Sequence, residues 1–419
     1  MLPQKRTIIR IVDRELGTLT NDIPEAGAQR AKGPLEGLLV ADFSRILAGP
    51  YATMLLGDMG ATVVKVEGPG GDDTRTWMPP TRDGVATYYM SVNRNKRSVV
   101  LDLKDPKDLD LARELASRAD VLVENFKPGQ LGRFGLDYDS VAQTNPGVIF
   151  ASITGFGSSE PGSKMMGYDL MVQAMSGLMS LTGDPEGTPY RAGISVFDIM
   201  SGMHAAIGIL AALAERQRSG RGQRVEVSLM ASALSGLANH TGAYVLSGTV
   251  PFRMGNAHPS LFPYEPLPTA EGDLVVIAGN DGQFRALAAA LGAPELADEP
   301  DFARNELRTA NRERLRPILV GLLGARSAEE WFPVLTEAGV PCAPIVTVDQ
   351  GVAFADSFGL RPTVEVPGDG ETLEMIRNPI GFSRTPPTYR MGPPGLGRDG
   401  DVVRRWLESG SGELEGDGK

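Results

Sequence analysis

Cysteine, histidine and tryptophan are scarce in this chain of 419 residues, which has one Cys, three His and three Trp. A single thiol, Cys342, excludes an intrachain disulfide framework. With that one thiol, His204, His240 and His258 do not form a ligand cluster at zinc-like spacing, so no metal is expected. Long apolar runs are also missing. The longest, residues 205–214, falls short of the roughly 20 residues that cross a bilayer. The N-terminal MLPQKRTIIRIVDREL lacks the apolar core and small-residue cleavage site of a secretory signal. Basic charge is in deficit, with 41 Lys and Arg against 52 Asp and Glu, for a formal net charge of −11. That balance argues against nucleic acid as a partner. These absences lead to the expectation of a cytoplasmic protein with neither a membrane nor a nucleic-acid partner.

What is present suits a chain of more than one domain, with 42% hydrophobic and 22% charged residues. Residues 1–32 mix charged and small side chains without a period and read as a poorly ordered extension. From Gly37 onward, apolar or β-branched runs over 38–43, 62–67, 98–103, 120–126 and 148–153 read as strands. Helical patterns over 50–59 and 106–119 fall between them. Such alternation predicts a parallel, doubly wound α/β sheet with ligands at the carboxyl ends of its strands. The longest helical pattern runs from Phe197 to Arg218, and its Gly202 and Gly208 predict close packing against a neighbour. A strand over 224–229 and a helix over 230–244 follow. A stretch rich in Pro and Gly over 251–268 marks a boundary or a binding loop. Beyond it, a strand over 273–278 and helices over 282–291, 312–323 and 328–338 predict a smaller α+β unit, and after Pro344 the periodicity weakens.

The candidate motifs have competing readings. Gly68-Pro-Gly-Gly-Asp-Asp73 offers backbone N–H groups to a phosphate but has neither dinucleotide nor Walker spacing, so a plain turn fits better. Asn93-Arg-Asn-Lys-Arg97 is either a solvated basic face or a neutraliser of ligand phosphates. His258 has no orienting partner in sequence, and a loop-stabilising role suits it as well as general-base chemistry. No GxSxG elbow is present and Cys342 has no nearby histidine, so serine and cysteine hydrolase chemistry is unsupported. Two acids, Asp169 and Asp198, stand among small and apolar residues, where a carboxylate must be paired, cap a helix or do chemistry. Asp198 at a helix start is either an N-cap, worth about 1 kcal/mol, or a nucleophile kept ionised by the same helix N-terminus. No Glu or Gln three residues later completes a capping box. The residues alone leave both readings open.

A set of segments in joint order adds to this. They are Ala48-Gly-Pro-Tyr-Ala-Thr53, Gly60-Ala-Thr-Val-Val-Lys-Val-Glu67, Asn95-Lys-Arg-Ser98, Leu101-Asp-Leu-Lys104 and Val123-Glu-Asn-Phe126. Gly167-Tyr-Asp169, Ser176-Gly177, Asp198 with Ser201-Gly202, and Gly220-Arg-Gly-Gln223 continue the set. Over about 33–399 the chain resembles a family III CoA-transferase of the formyl-CoA transferase and carnitine CoA-transferase kind, related to the α-methylacyl-CoA racemases. The resemblance implies a large Rossmann-like domain made by both chain ends, an inserted small domain, and an interlocked homodimer. On this sequence the divisions fall at 1–32 for the extension, 33–228 for the large domain, 229–345 for the small domain with its linker, and 346–419 for the returning C-terminal part.

The resemblance also implies a mechanism. Asp198 would be the nucleophile, alternating between a mixed anhydride and an aspartyl-CoA thioester, with Asp169 as an assisting acid beside Tyr168. Coenzyme A, bound as the acyl-CoA substrate, would contact Arg45, Ala48, Leu101, Lys104, Asn125, Phe126, Arg133 and Phe134. A loop with Gly255, Asn256 and His258 would cover the intermediates. Racemases carry histidine where this chain has Tyr168, and a tyrosine with its ordinary pKa near 10 is a poor base at neutral pH. Transfer is therefore favoured over two alternatives, racemisation of an α-methylacyl-CoA and acyl-CoA binding without catalysis. Gly397-Arg398-Asp399 departs from the family's Gly-Glu-His-Thr. Segments 255–259, 263–264 and 279–284 resemble members that handle dicarboxylates such as succinyl-CoA, for which Arg191 or Arg253 could supply the cation.

Overall fold

Runs of β-branched and small apolar residues let the inner strands of the main sheet bury both faces, as parallel strands require, while the edge strand Gln223–Ser228 stays partly exposed. In the computed structural model, which describes residues 33–410 and Leu414, the strands are β1 (Leu39–Asp42), β2 (Thr62–Glu67), β3 (Lys96–Val100), β4 (Val121–Glu124), β5 (Ile149–Thr154) and β6 (Gln223–Ser228). All five pairings are parallel, in the order β3-β2-β1-β4-β5-β6. This is the doubly wound order, whose direction reverses between β1 and β4. The expected extension over 1–32 lies outside the described residues.

Helices cover both faces of the sheet. On one face Val40, Val63, Val121 and Ile149 pack against α1 (Ala48–Asp58) and the 24-residue α4 (Val196–Ser219), through Ala52, Leu55, Ala205 and Ile209. On the other, Ala41, Val64 and Leu122 pack against α2 (Pro106–Arg118) and the C-terminal α11 (Gly400–Glu408). Between these elements run α3 (Asp169–Met175), α5 (Leu229–Gly236) and α6 (Asn239–Ser247). The single helix expected over 230–244 is broken at Ala238, whose φ of 39° no helix accommodates. By length and composition α4 could cross a membrane, yet Phe197, Ala205, Ile209 and Ala212 are buried in the sheet core.

Two compact units are present. The larger comprises described residues 33–179, Arg191–Pro251 and 363–410. The smaller comprises Ser180–Tyr190 and Phe252–Pro362. In the smaller unit β7 (Tyr264–Pro268), β8 (Asp273–Ile277) and β9 (Cys342–Pro344) form an antiparallel sheet in the order β9-β8-β7. It packs on α7 (Asp281–Ala290), α8 (Arg312–Leu323) and α9 (Ala328–Glu337) through Leu274, Val276, Phe284, Leu319 and Leu335. Residues 229–251, placed with the smaller domain by sequence, pack with the larger unit instead because Leu229 and Ala233 are buried in its core. The chain rejoins the larger unit at 363 rather than 346, after a further helix, α10 (Val348–Ser357). There Gly397 donates its N–H to Ser98 Oγ at 2.8 Å, and Asp399 accepts the Ser98 N–H at 2.8 Å.

Candidate active site

The first turn of α4 carries Asp198, but Asp198 does not cap that helix. The N-cap position is Ser195, whose side chain makes no capping bond. Asp169, at the start of α3 and only 6% exposed, does so from a distance. Its Oδ1 accepts the backbone N–H of Phe197 at 2.8 Å and that of Asp198 at 3.3 Å. The orphan donors of α4 are thus satisfied by another acid. Among the described residues none donates to the Asp198 carboxylate itself. Burial first, and then the neighbouring Asp169 charge, push the Asp198 carboxyl up to about 7. Both act by disfavouring its anion.

Two close backbone approaches fix these acids. One turn beyond Asp198, a Cβ on Gly202 would lie 2.6 Å from the Ala48 carbonyl oxygen, so only glycine lets α4 press onto the start of α1. A Cβ on Gly155, just after β5, would lie 2.3 Å from the Gly167 Cα, where the chain enters Tyr168 and Asp169. Ile199, the residue after Asp198, and Tyr88 pack on a cluster of Leu47, Met54 and Val92, with Ile46 and Tyr51. Tyr88 was not singled out by sequence. Its hydroxyl pairs with Ser195, and burial pushes it up, with the Asp198 charge adding to the rise. Its ring meets Trp77 edge-on at 5.3 Å. Tyr168, half exposed, stands at the N-cap of α3.

A second group gathers where the strand order reverses. Asn125, just past β4, accepts the Arg45 N–H at 3.0 Å and donates to the Arg45 carbonyl at 2.7 Å. The Arg45 guanidinium lies 5.7 Å from the Phe126 ring centre and pairs with Asp73 at 3.2 Å. The next residue, Ile46, takes a φ of 71°, a left-handed conformation that is costly for a β-branched residue. Its N–H is held by Asp72, which is bound in turn by Lys65 at 2.9 Å. Burial opposes ionisation of Asp72, but the Lys65 ammonium and the Thr74 donors hold it down to about 2. Leu101 is buried in the core against which Phe126 and Phe134 pack, while Lys104 is exposed and Arg133 is an exposed cation 4.6 Å from the Phe134 ring centre. Ala48 is buried at the start of α1.

The remaining candidates have contacts of their own. The basic run over 93–97 is consumed internally: Arg94 pairs with Asp58 at 2.6 Å, Lys96 with Asp42 at 3.1 Å and Arg97 with Asp399 at 3.7 Å. The 68–73 segment is a turn, closed by the Gly71 N–H donating to the Gly68 carbonyl. In the smaller unit Gly255 takes a φ of 62° and Asn256 is exposed. His258 Nδ1 accepts the Ser260 N–H at 3.0 Å, and its ring lies 4.9 Å from Tyr264. Arg253 donates to the carbonyls of Asp184 and Gly187 at 3.0 and 2.9 Å. Among the described residues no group of three or more His, Cys, Asp or Glu gathers to hold a metal.

Comparisons with known proteins bear on this arrangement. Residues 35–400 match the family model described as CoA-transferase family III. A succinate–glutarate CoA-transferase from Agrobacterium fabrum is 43% identical over 389 residues, spanning 90% of this chain and 96% of that protein. A succinyl-CoA:glutarate CoA-transferase from Mus musculus is 43% identical over 358 residues, spanning 84% and 79% respectively. Among solved structures, a CAIB/BAIF family protein from Brucella suis superposes with a TM-score of 0.81 at 39% identity, covering 90% of this chain and 100% of that one.

Proposed function

The chain belongs to CoA-transferase family III and moves CoA from an acyl-CoA to a carboxylic acid, and from that premise we propose that Asp198 is the nucleophile. The observation that carries the reading is the Asp198 carboxylate itself. It stands unbonded in the first turn of a core helix whose capping is done by Asp169. A carboxylate freed from structural duty is free to attack. Its oxygen adds to the thioester carbonyl of the donor, the C–S bond breaks, and CoA leaves as a thiolate from an acyl–aspartyl anhydride. The thiolate then attacks the aspartyl carbonyl, which releases the donor acid and leaves an aspartyl-CoA thioester. The acceptor carboxylate reverses both steps, and Asp198 is regenerated. No water is consumed and no electrons are transferred, so the protein mainly orients the groups and excludes solvent.

CoA lies at the β1–β4 crevice in this reading, with Arg45, Asn125 and Phe126 at its mouth and the exposed cations of Lys104 and Arg133 for its phosphates. Ala48 contributes through its backbone, while Leu101 and Phe134 form the floor. Asp169 assists by holding Asp198 in place, with Tyr168 beside it at the N-cap of α3. Dicarboxylates of the succinate and glutarate type are the substrates this reading favours, supported by the activities for which the relatives are named. Two copies of the chain form the working enzyme, which is supported by exposed apolar residues on α4 and α6 such as Ile207, Val245 and Leu246.

The test is to add a donor acyl-CoA and trap with hydroxylamine or borohydride, then map the modified residue. Modification at Asp198 is expected, and Asp198→Ala should lose transfer by about 1,000-fold or more while still binding CoA. Transfer that survives this substitution overturns the mechanism.

A further inference from the structure

We propose that Gln173 is a positioning residue for Asp198, its buried amide holding both the strap that leads into α4 and the carboxylate that caps it. Gln173 is fully buried on α3, four residues after Asp169 and so on the same helix face. Its Nε2 donates to Asp169 Oδ2 and to the Ile194 carbonyl, the latter at 3.1 Å. Its Oε1 accepts the Ala192 N–H at 2.8 Å. One side chain therefore closes a chain of bonds from the strap, through Asp169, to the backbone of Phe197 and Asp198. The strap has no regular secondary structure of its own between Arg191 and Ser195. Its register, and the point where α4 begins, depend on that amide.

A glutamine does here what an acid cannot. It offers two donors and an acceptor at once, so it can serve an anion, a carbonyl and an N–H together. An apolar side chain of similar shape would fill the space but leave Asp169 short of a donor and the strap untied. The titratable group bonded to it is Asp169 on its own helix; the first turns of α4, packed on α3, carry Asp198 and His204, and the Tyr88 hydroxyl pairs with Ser195 at the end of the strap. The His204 ring is turned to Ser232, and α5, packed on α3, carries no ionisable residue.

The inference rests on Asp198 as nucleophile, but the two fail separately. Loss of the Asp198 reading is decided by Asp198→Ala, whatever Gln173 does. Two variants of the full chain test Gln173, with kcat and KM measured against CoA affinity as a control for folding. Gln173→Met keeps the shape and loses the bonds. Its kcat should fall about tenfold or more from about pH 6 to about pH 9, with KM for acyl-CoA within about threefold, because the crevice residues are untouched. Gln173→Glu is conditional. Protonated, it carries one O–H donor for Asp169 and a carbonyl for Ala192; ionised, it has acceptors only and a charge facing Asp169. Burial beside that anion should bring its titration toward neutrality. The ratio of Gln173→Glu to wild-type kcat/KM should therefore fall about tenfold between about pH 6 and about pH 9. A Met variant with wild-type kcat, or a Glu ratio that does not change with pH, overturns the proposal. If Gln173→Met fails to fold, the Glu ratio alone decides.

Discussion

Asp198 and Asp169 are neighbours with different hydrogen-bond surroundings. Asp169 accepts three donors, from the Gln173 amide and the backbone of Phe197 and Asp198. Burial, and then the Asp169 charge, push Asp198 up to about 7. Only the ionised form can attack, so kcat/KM should rise with pH through about 7 and then level, reporting the free enzyme. Asp169→Asn removes the like charge but not the burial. The acid limb should therefore move below 7 yet stop short of the ordinary carboxylate range, and the plateau should drop because the cap is weakened. A limb that stays in place would assign the whole rise to burial. The two acids were visible in the sequence, and the family resemblance gave them different roles, but the capping of α4 by Asp169 was not visible. A one-dimensional reading sees Asp198 at a helix start and offers it as the cap. It cannot see that an acid 29 residues upstream takes the same N–H groups. Gln173 did leave a signal, its four-residue spacing from Asp169, which matters only once Ala192 and Ile194 are brought opposite it.

Strands and helices were legible wherever burial and period agree. Thr62–Glu67 and Arg312–Leu323 fall on their expected limits, because β-branched alternation and helical spacing are local properties. β3 instead begins at Lys96 and ends at Val100. A basic residue reads as loop, but Lys96 is buried against Asp42, Asn93 and the Pro50 carbonyl. Such a partner is invisible along the chain. The α10 helix and the hairpin of Thr363–Pro367 with Thr372–Ile376 were missed for a related reason, being partly exposed and weakly patterned. The expected contacts of Gly202 and Gly208 are present but differ in kind. A Cβ at Gly202 meets the backbone oxygen of Ala48, whereas one at Gly208 meets the Val225 Cγ1 at 2.7 Å, a side chain that can rotate. Gly202→Ala should therefore cost about 1–3 kcal/mol by urea denaturation and also lower kcat, since it pushes the first turns of α4 off α1. Gly208→Ala should cost less and leave kcat unchanged. Equal losses for the two would mean that the α1–α4 contact has no special place in the site.

The division into two units follows from the cores more than from the linkers. The stretch rich in Pro and Gly after 250 does mark a change of unit, but the return at 363 has no such flag and is fixed by where the second core ends. Neither core accounts for the outer faces of α4 and α6. Met203, Ile207, Tyr244, Val245 and Leu246 lie 40%, 63%, 60%, 76% and 87% exposed on the larger unit. Large side chains left in water at this density are unusual for a chain that works alone. Covering them with a second copy would recover about 25 cal/mol for each Å² of apolar surface removed from water. An acidic chain of net charge −11 opposes that association, which implies that the contact is apolar at its centre. Sedimentation equilibrium should accordingly give twice the 44.6 kDa of one chain, with no loss of association in high salt. Ile207→Glu combined with Leu246→Glu places two carboxylates on that surface without touching either core. The pair should abolish the dimer, and transfer should fall with it if the site is complete only in the assembled enzyme. A wild-type chain that sediments as a monomer while turning over would remove the dimer from the proposed function and leave the Asp198 chemistry standing.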